Sequence, residues 1–205
     1  MGTLDSIYLS MPLGIKNMMF NIITLQNNKR RYGGKFKDYY NEYVYNMNSN
    51  IGELKKYQEN KLRQLLIESY DFTKYYRDIL IKNKISREEI ENNDVYGILN
   101  RLPYLEKNVL RENINIITSS NNKRKSILIG HTSGTTGTPI NYEVDKETYQ
   151  RDFAQWERYY DWMCLPKKRR SVRLSGRIII KPNASKPPFW IHDKIDNQLF
   201  MSTYH

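Results

Sequence analysis

The stretch of sequence that decides the fold reads SILIGHTSGTTGTPINYEV and spans residues 126–144. Its first part, residues 126–130, is an apolar run with two isoleucines, which is typical of a largely buried strand. After a hydroxyl-rich centre, Ile140, Tyr142 and Val144 alternate with polar residues in the pattern of a second strand. The sequence therefore predicts two strands joined by a loop of glycine and hydroxyl residues.

This loop has a composition suited to binding phosphate. Gly134 and Gly137 allow the backbone to take positive φ values, and successive amides in such a turn form an anion nest. A hydrogen bond to a charged group contributes roughly 1.5 to 3 kcal/mol, so a few of them could hold a polyphosphate. Hydroxyl side chains that can donate along the same turn are those of Thr132, Ser133, Thr135, Thr136 and Thr138.

Two other interpretations of the loop are considered. A Walker-type loop needs Gly-Lys followed by Ser or Thr and then a helix, whereas Thr138-Pro139 stands where the lysine would be wanted. The residues that follow alternate like a strand, which excludes the Walker interpretation. A plain hairpin connection that binds nothing stays open, because turn residues also gather in loops for conformational reasons.

The string from Thr132 to Thr138, with Pro139 after it, resembles the phosphate-binding signature of the acyl-adenylate-forming, or AMP-binding, superfamily. Other stretches resemble one branch, the phenylacetate-CoA ligase type, which includes relatives assigned to capsular polysaccharide biosynthesis. These stretches are residues 57–77 with their terminal Tyr-Arg, residues 102–107 with their Leu-Pro, residues 189–190 and residues 201–205. Many family members carry lysine where Thr138 stands, although the capsule-type relatives often have threonine.

The resemblance implies an ATP-dependent ligase whose partners are ATP and a small carboxylic acid. In the intact family the carboxylate attacks the α-phosphorus of ATP, giving an acyl-adenylate and pyrophosphate, and the acyl group often passes to coenzyme A. Mg²⁺ would neutralise the phosphates. His205 would lie beside the acyl pocket as the candidate catalytic residue. The phosphates would be held by Thr132, Ser133, Gly134, Thr135, Thr136, Gly137 and Thr138.

The same resemblance predicts an incomplete enzyme. The family's acidic adenine and ribose contacts, and the lysine of its mobile carboxy-terminal domain, would all lie beyond His205. We therefore expect an amino-terminal fragment with little or no turnover of its own, for which a separate polypeptide is a candidate source of the missing half.

The predicted fold class is α/β, with a helical amino-terminal region followed by part of the mixed-sheet large domain of adenylate-forming enzymes, apparently cut short. We expect residues 1–50 to be a peripheral helical lead-in and residues 51–205 to be the amino-terminal portion of that large domain, with the carboxy-terminal domain absent. The elements predicted from periodicity, capping residues and turn residues are helices after Gly33-Gly34, over 53–70, after Ser86, over 105–113 and after Asp145, and strands over 172–180, 189–191 and 198–202.

Composition restricts the remaining function classes. The 33 Lys and Arg against 22 Asp and Glu give a net charge of +11. No helix-turn-helix, zinc or RNP pattern supports a nucleic-acid module, which is therefore disfavoured. The single cysteine, Cys164, favours a reducing cytoplasmic setting and has no metal-ligand spacing with the histidines, so no protein metal site is predicted. The apolar residues 18–23 are too few to span a membrane.

Two alternatives to the ligase stay open at this point. The chain could be a nonenzymatic nucleotide-binding or partner-binding remnant of the family, or a basic nucleic-acid-binding protein.

Overall fold

The computed structural model describes residues 3–121, 126–132, 139–166, 169–181 and 183–204. The helices in these ranges are α1 (Thr3–Ser10), α2 (Leu13–Arg31), α3 (Phe36–Met47), α4 (Ile51–Phe72), α5 (Lys74–Lys82), α6 (Arg87–Asn92), α7 (Val95–Asn100), α8 (Lys107–Glu112), α9 (Ile114–Ile117) and α10 (Lys146–Trp162). The strands are β1 (Ser126–His131), β2 (Asn141–Asp145), β3 (Ser171–Ser175), β4 (Trp190–Asp193) and β5 (Gln198–Ser202). The predicted order, helical first and then mixed α/β, is confirmed.

The chain divides into two compact units. The first unit consists of the described residues of Met1–Tyr40 and Gln150–His205, and the second consists of those of Asn41–Tyr149. Within the first unit β5 lies between β3, which runs parallel to it, and β4, which runs antiparallel. Within the second unit β1 and β2 form an antiparallel hairpin. The domain boundary expected near residue 50 stays a prediction.

The second unit has a helical core formed by apolar side chains of α4 to α7. Its helices begin at good caps, since Asn50 and Glu53 form a capping box and the Ser86 hydroxyl accepts a hydrogen bond from the Glu89 amide. The predicted N-cap at Ser86 is thereby confirmed. The buried members of this core are Leu66, Leu80, Ile85, Ile90, Val95 and Ile98.

The first unit has a core between its sheet and α2. Ile179, Ile180, Ile191 and Phe200 are buried there, and Phe20 of α2 packs on Phe200 with a ring centroid distance of 5.2 Å. Apolar side chains from one face of the sheet therefore meet one side of the helix.

Polar side chains on the same side of α2 bind the outer edge of β4. Asn17 accepts a hydrogen bond from the His192 amide at 3.1 Å, and Asn21 donates to the His192 carbonyl at 3.1 Å. Asn21 also accepts from the Lys194 amide at 2.8 Å. These amides take the place of a neighbouring strand, so the backbone groups on that edge of the sheet are satisfied.

Two predicted elements differ from the structure. The strand expected over 172–180 ends at Ser175, because its partner β5 ends at Ser202, the residue that pairs with Ser175. Ile179 and Ile180 are nevertheless buried in the core of the first unit.

The helix after Asp145 is confirmed. The spacing of Tyr149, Phe153, Trp156, Tyr160 and Met163 predicts that they form its buried side, but this side is at most half-buried. Trp156 is 48% exposed, whereas Gln150 and Ala154 are buried. The Gln150 side chain donates to the Arg30 carbonyl and accepts from the Lys35 amide, both at 3.1 Å. A polar anchor at Gln150 therefore holds this helix, together with the half-buried Phe153, whose ring centroid lies 6.2 Å from that of Tyr32.

None of the helices in the described part of the chain combines the length and hydropathy needed to cross a membrane.

Candidate functional site

The predicted phosphate loop is carried by the β1–β2 hairpin. Gly130 pairs with Tyr142 and His131 pairs with Asn141 in an antiparallel ladder. Both strands predicted from the sequence are present. The burial expected for the first strand is wrong, because β1 lies in a described sheet of two strands and Ile129 is 69% exposed. Residues 133–138 of the loop lie outside the described residues. The structure therefore defines the two ends of the candidate site, at Thr132 and Ile140.

Thr132 and Ile140 close the loop through reciprocal hydrogen bonds. The Thr132 amide donates to the Ile140 carbonyl at 3.1 Å, and the Ile140 amide donates to the Thr132 hydroxyl oxygen at 3.1 Å. Ile140 is buried, with 7% of its surface exposed. Both ends of the loop are thus fixed next to each other at the end of a paired ladder.

The Thr132 hydroxyl therefore has a structural role that the sequence did not indicate. Its oxygen accepts from the Ile140 amide, while a hydroxyl also carries one hydrogen that can be donated. Anchoring the loop and donating to an anion are compatible for this side chain. The predicted role of Thr132 in binding phosphate stays a prediction.

Gly130 and Tyr142 form a close cross-strand pair at the base of the loop. A Cβ atom at Gly130 would lie 2.6 Å from Cε2 and 2.7 Å from Oη of Tyr142. The tyrosine ring therefore lies over the glycine backbone. An aromatic side chain on a neighbouring strand can shield a glycine in this way. The sequence did not predict this pair, although an isolated glycine inside a strand pattern is a signal for close approach.

The remaining predicted site residues contribute less to the described geometry. His131 is the exposed last residue of β1, and its position directly before the loop predicts that it supports the loop from that strand. Asp145 accepts a hydrogen bond from the Thr148 amide at 2.6 Å, which confirms it as the N-cap of α10. His205, the candidate residue beside the acyl pocket, lies outside the described residues.

The next feature is the set of described side chains that could act as ligands for a magnesium ion. They contain no group of three or more His, Cys, Asp or Glu residues that could hold a metal. Mg²⁺ needs no such group when it is bound mainly by substrate phosphates and water. The requirement for Mg²⁺ therefore stays a prediction.

Comparison with known proteins identifies a curated relative of low identity. No family model matches the chain. The chain is 28% identical over 202 residues to Protein CapK of Staphylococcus aureus, and the match covers 98% of this chain and 42% of that protein. The chain thus spans less than half the length of this curated relative.

Proposed function

We propose that this chain is the nucleotide-binding part of an adenylate-forming ligase, in which residues 132–138 hold the phosphates of ATP. The observation that carries the proposal is the closed base of the loop, where Thr132 and Ile140 are joined by two hydrogen bonds of 3.1 Å each. The sequence between these two residues has the glycine and hydroxyl composition that suits phosphate binding.

A closed base favours anion binding for an entropic reason. Ordering one residue of a flexible loop costs roughly 1 to 2 kcal/mol, which weakens any ligand that must order the loop as it binds. Fixing both ends of the loop in the β1–β2 ladder reduces the number of conformations before a ligand arrives. Pre-organised donors then stabilise charge without further rearrangement.

The proposed reaction belongs to the complete ligase. A carboxylate oxygen forms a bond to the α-phosphorus of ATP while the bond from that phosphorus to the oxygen bridging to the β-phosphorus breaks. The products are an acyl-adenylate and pyrophosphate, which takes the electron pair of the broken bond. Magnesium bound to the phosphates supplies charge neutralisation. Residues 132–138 contribute by positioning the phosphates.

The biological setting follows from the resemblance and from the name of the relative. The phenylacetate-CoA ligase type includes proteins assigned to capsular polysaccharide biosynthesis, and the relative is named Protein CapK. Both support a role in capsule or surface polysaccharide biosynthesis. The substrate would be a small carboxylic acid in the cytoplasm, with coenzyme A as the candidate acceptor.

Pyrophosphate release tests this function. The assay uses ATP, Mg²⁺ and a panel of carboxylic acids, first with this chain alone and then with the chain mixed with the part of Staphylococcus aureus CapK outside the match. We expect no release by the chain alone and carboxylate-dependent release by the mixture. Rapid release by the chain alone would contradict its assignment as one part of the enzyme. A silent mixture, together with no ATP binding by the chain, would contradict the ligase.

A further inference from the structure

The sheet of the first unit has one buried face and one apolar face open to solvent. On the buried face Ile191 and Phe200 lie in the core, and the Arg173 guanidinium lies 5.8 Å from the Phe200 ring centroid. On the opposite face Val172 is 57% exposed and Leu174 is 66% exposed. The strand register sets six residues on this open face: Val172, Leu174, Trp190, His192, Leu199 and Met201.

The two edges of the same sheet also differ. The β4 edge is covered by the side-chain amides of α2, whereas no described strand or helix pairs with the outer edge of β3. The Ser171 amide donates to the Asn197 carbonyl, and the Ser175 carbonyl accepts from the Thr203 amide. Ser171 and Ser175 therefore direct these backbone groups towards β5. By the alternation of a parallel ladder, the backbone groups of Val172 and Leu174 point to the open edge.

An open face beside an open edge is unusual for parallel strands. Parallel pairs such as β3 and β5 are normally covered on both faces, and an exposed apolar edge strand is a template for pairing with another polypeptide. A concavity of about 140 Å³ opens in this region, lined by Arg170, His192, Asn197, Gln198 and Leu199. Small-molecule pockets are about 300 to 1,000 Å³, so this concavity fits a side chain better than a ligand.

We propose that the β3 edge and the open face bind a polypeptide homologous to the part of Staphylococcus aureus CapK that lies outside the match. That polypeptide adds a strand beside β3 and covers the open face. The match covers 42% of CapK, so more than half of that protein has no counterpart in this chain. This proposal does not depend on nucleotide binding at residues 132–138.

The charges on β3 argue against a second copy of this chain as the occupant. Arg173 is the central residue of β3. The two-fold antiparallel pairing that joins the whole length of β3 to its copy would set the two Arg173 residues directly opposite each other, and like charges in that position destabilise a sheet. The chain also carries a net charge of +11, which disfavours self-association and favours a less basic partner.

A lipid surface is a poorer occupant for a different reason. The apolar interior of a membrane offers no hydrogen-bonding partner for the backbone groups of an edge strand, and leaving them unpaired there is costly. A polypeptide strand satisfies those groups and the apolar face together.

The test uses two purified proteins: this chain and, as the probe, the part of Staphylococcus aureus CapK outside the match. We expect a complex of one copy of each by size-exclusion chromatography with light scattering, and slower hydrogen exchange at the amides of Val172 and Leu174. Val172→Asp and Leu174→Asp should each weaken the complex at least tenfold. Leu65→Asp is the matched control, since Leu65 is 60% exposed and lies on α4 in the second unit.

Because the probe comes from a protein that is 28% identical, a second arm joins it to this chain through a flexible linker. Such a linker raises the effective concentration to about the millimolar range. Exchange at Val172 and Leu174 that stays fast in the linked protein would overturn the proposal. So would an equal weakening by Leu65→Asp, or self-association of this chain through the same edge. Failure of ATP binding would leave this result unaffected.

Discussion

Gly130 is the residue whose small size shapes the base of the candidate site. A Cβ there would meet the Tyr142 ring, with Cε2 at 2.6 Å, and that ring is 47% exposed and so able to move. We expect Gly130→Ala to displace the ring and to lower the free energy of unfolding by about 1 kcal/mol. Chemical denaturation measures this loss.

A double-mutant cycle isolates the Gly130–Tyr142 contact from other effects of the substitution. In a Tyr142→Ala background the added methyl group has no ring to displace, so Gly130→Ala should be neutral or slightly stabilising. Equal losses in both backgrounds would show that the ring and the glycine are not coupled. Gly176→Ala is a matched control, because a Cβ there meets nothing within 4 Å.

Tyr32 is the residue at which we expect a pH effect. Burial and the neighbouring Glu157 carboxylate raise the pKa of the Tyr32 hydroxyl above its ordinary value of 10.0. A group whose pKa is raised by folding stabilises the protein below its unfolded pKa, and that stability is lost as the pH rises beyond it. We therefore expect unfolding to become easier above about pH 10.

The Tyr32→Phe variant tests this assignment. It removes the hydroxyl that donates to Glu157 at 3.2 Å, together with the ionisation. The variant should lose less stability than the wild type between neutral and strongly alkaline pH, as followed by thermal unfolding. Identical pH profiles for the two proteins would assign the alkaline transition to other residues.

At the scale of elements, α2 docks with a side that combines polar residues with the apolar Phe20. Its polar residues Asn17 and Asn21 bind β4, whereas Met18 and Ile22 are 58% and 48% exposed. Burial of a polar helix side is stable here because each amide pairs with backbone groups of the β4 edge.

Removing one of these amides should destabilise the first unit. Asn21→Leu would remove the side-chain partner of the His192 carbonyl and the Lys194 amide, which costs about 1 kcal/mol because these groups are not fully buried and can bind water instead. Hydrogen exchange at the Lys194 amide should become faster. Gln26→Leu makes the same change at an exposed position of the same helix and should have little effect. Equal losses in the two variants would refute the role given to Asn21.

The sequence predicted the hairpin strands and most helices because each has a local signal. Alternation identified β2, and the hydroxyl of Ser86 and the carboxylate of Asp145 identified two helix starts. The docking of α2 could not be predicted, since it depends on a strand about 170 positions away in sequence, as the separation of Asn21 and His192 shows. Local periodicity carries no information about such a partner.

In α10 a local signal was present but misleading. The spacing of Tyr149, Phe153, Trp156, Tyr160 and Met163 predicted a buried side, yet Trp156 and Met163 are 48% and 47% exposed. The buried anchor is Gln150, a polar residue that periodicity assigns to the solvent side. At the candidate site the sequence predicted the strand on either side of the loop, whereas the phosphate-binding role of Thr132 stays a prediction. The sequence did not identify the pairing of Thr132 with Ile140 or the contact of Gly130 with Tyr142, because both are cross-strand contacts.

At the scale of the whole molecule, the net charge of +11 is the feature that supports the nucleic-acid-binding alternative. A nucleic-acid-binding protein would lose affinity steeply as salt rises, because binding releases counterions from the phosphate backbone. We expect only weak, salt-sensitive binding to single-stranded or duplex DNA, with no change on replacing Gly134 or Gly137. Tight binding that persists at physiological salt, measured by fluorescence anisotropy, would favour the nucleic-acid alternative.

Titration of this chain with ATP and Mg²⁺ in a calorimeter tests the central claim most directly. We predict measurable binding that Gly134→Ala and Gly137→Ala each weaken about tenfold or more, since each would disturb charged hydrogen bonds contributing roughly 1.5 to 3 kcal/mol. Gly176→Ala should bind like the wild type. No binding by the wild-type chain, or equal affinity in the Gly134 and Gly137 variants, would contradict the assignment of residues 132–138 as the phosphate-binding loop.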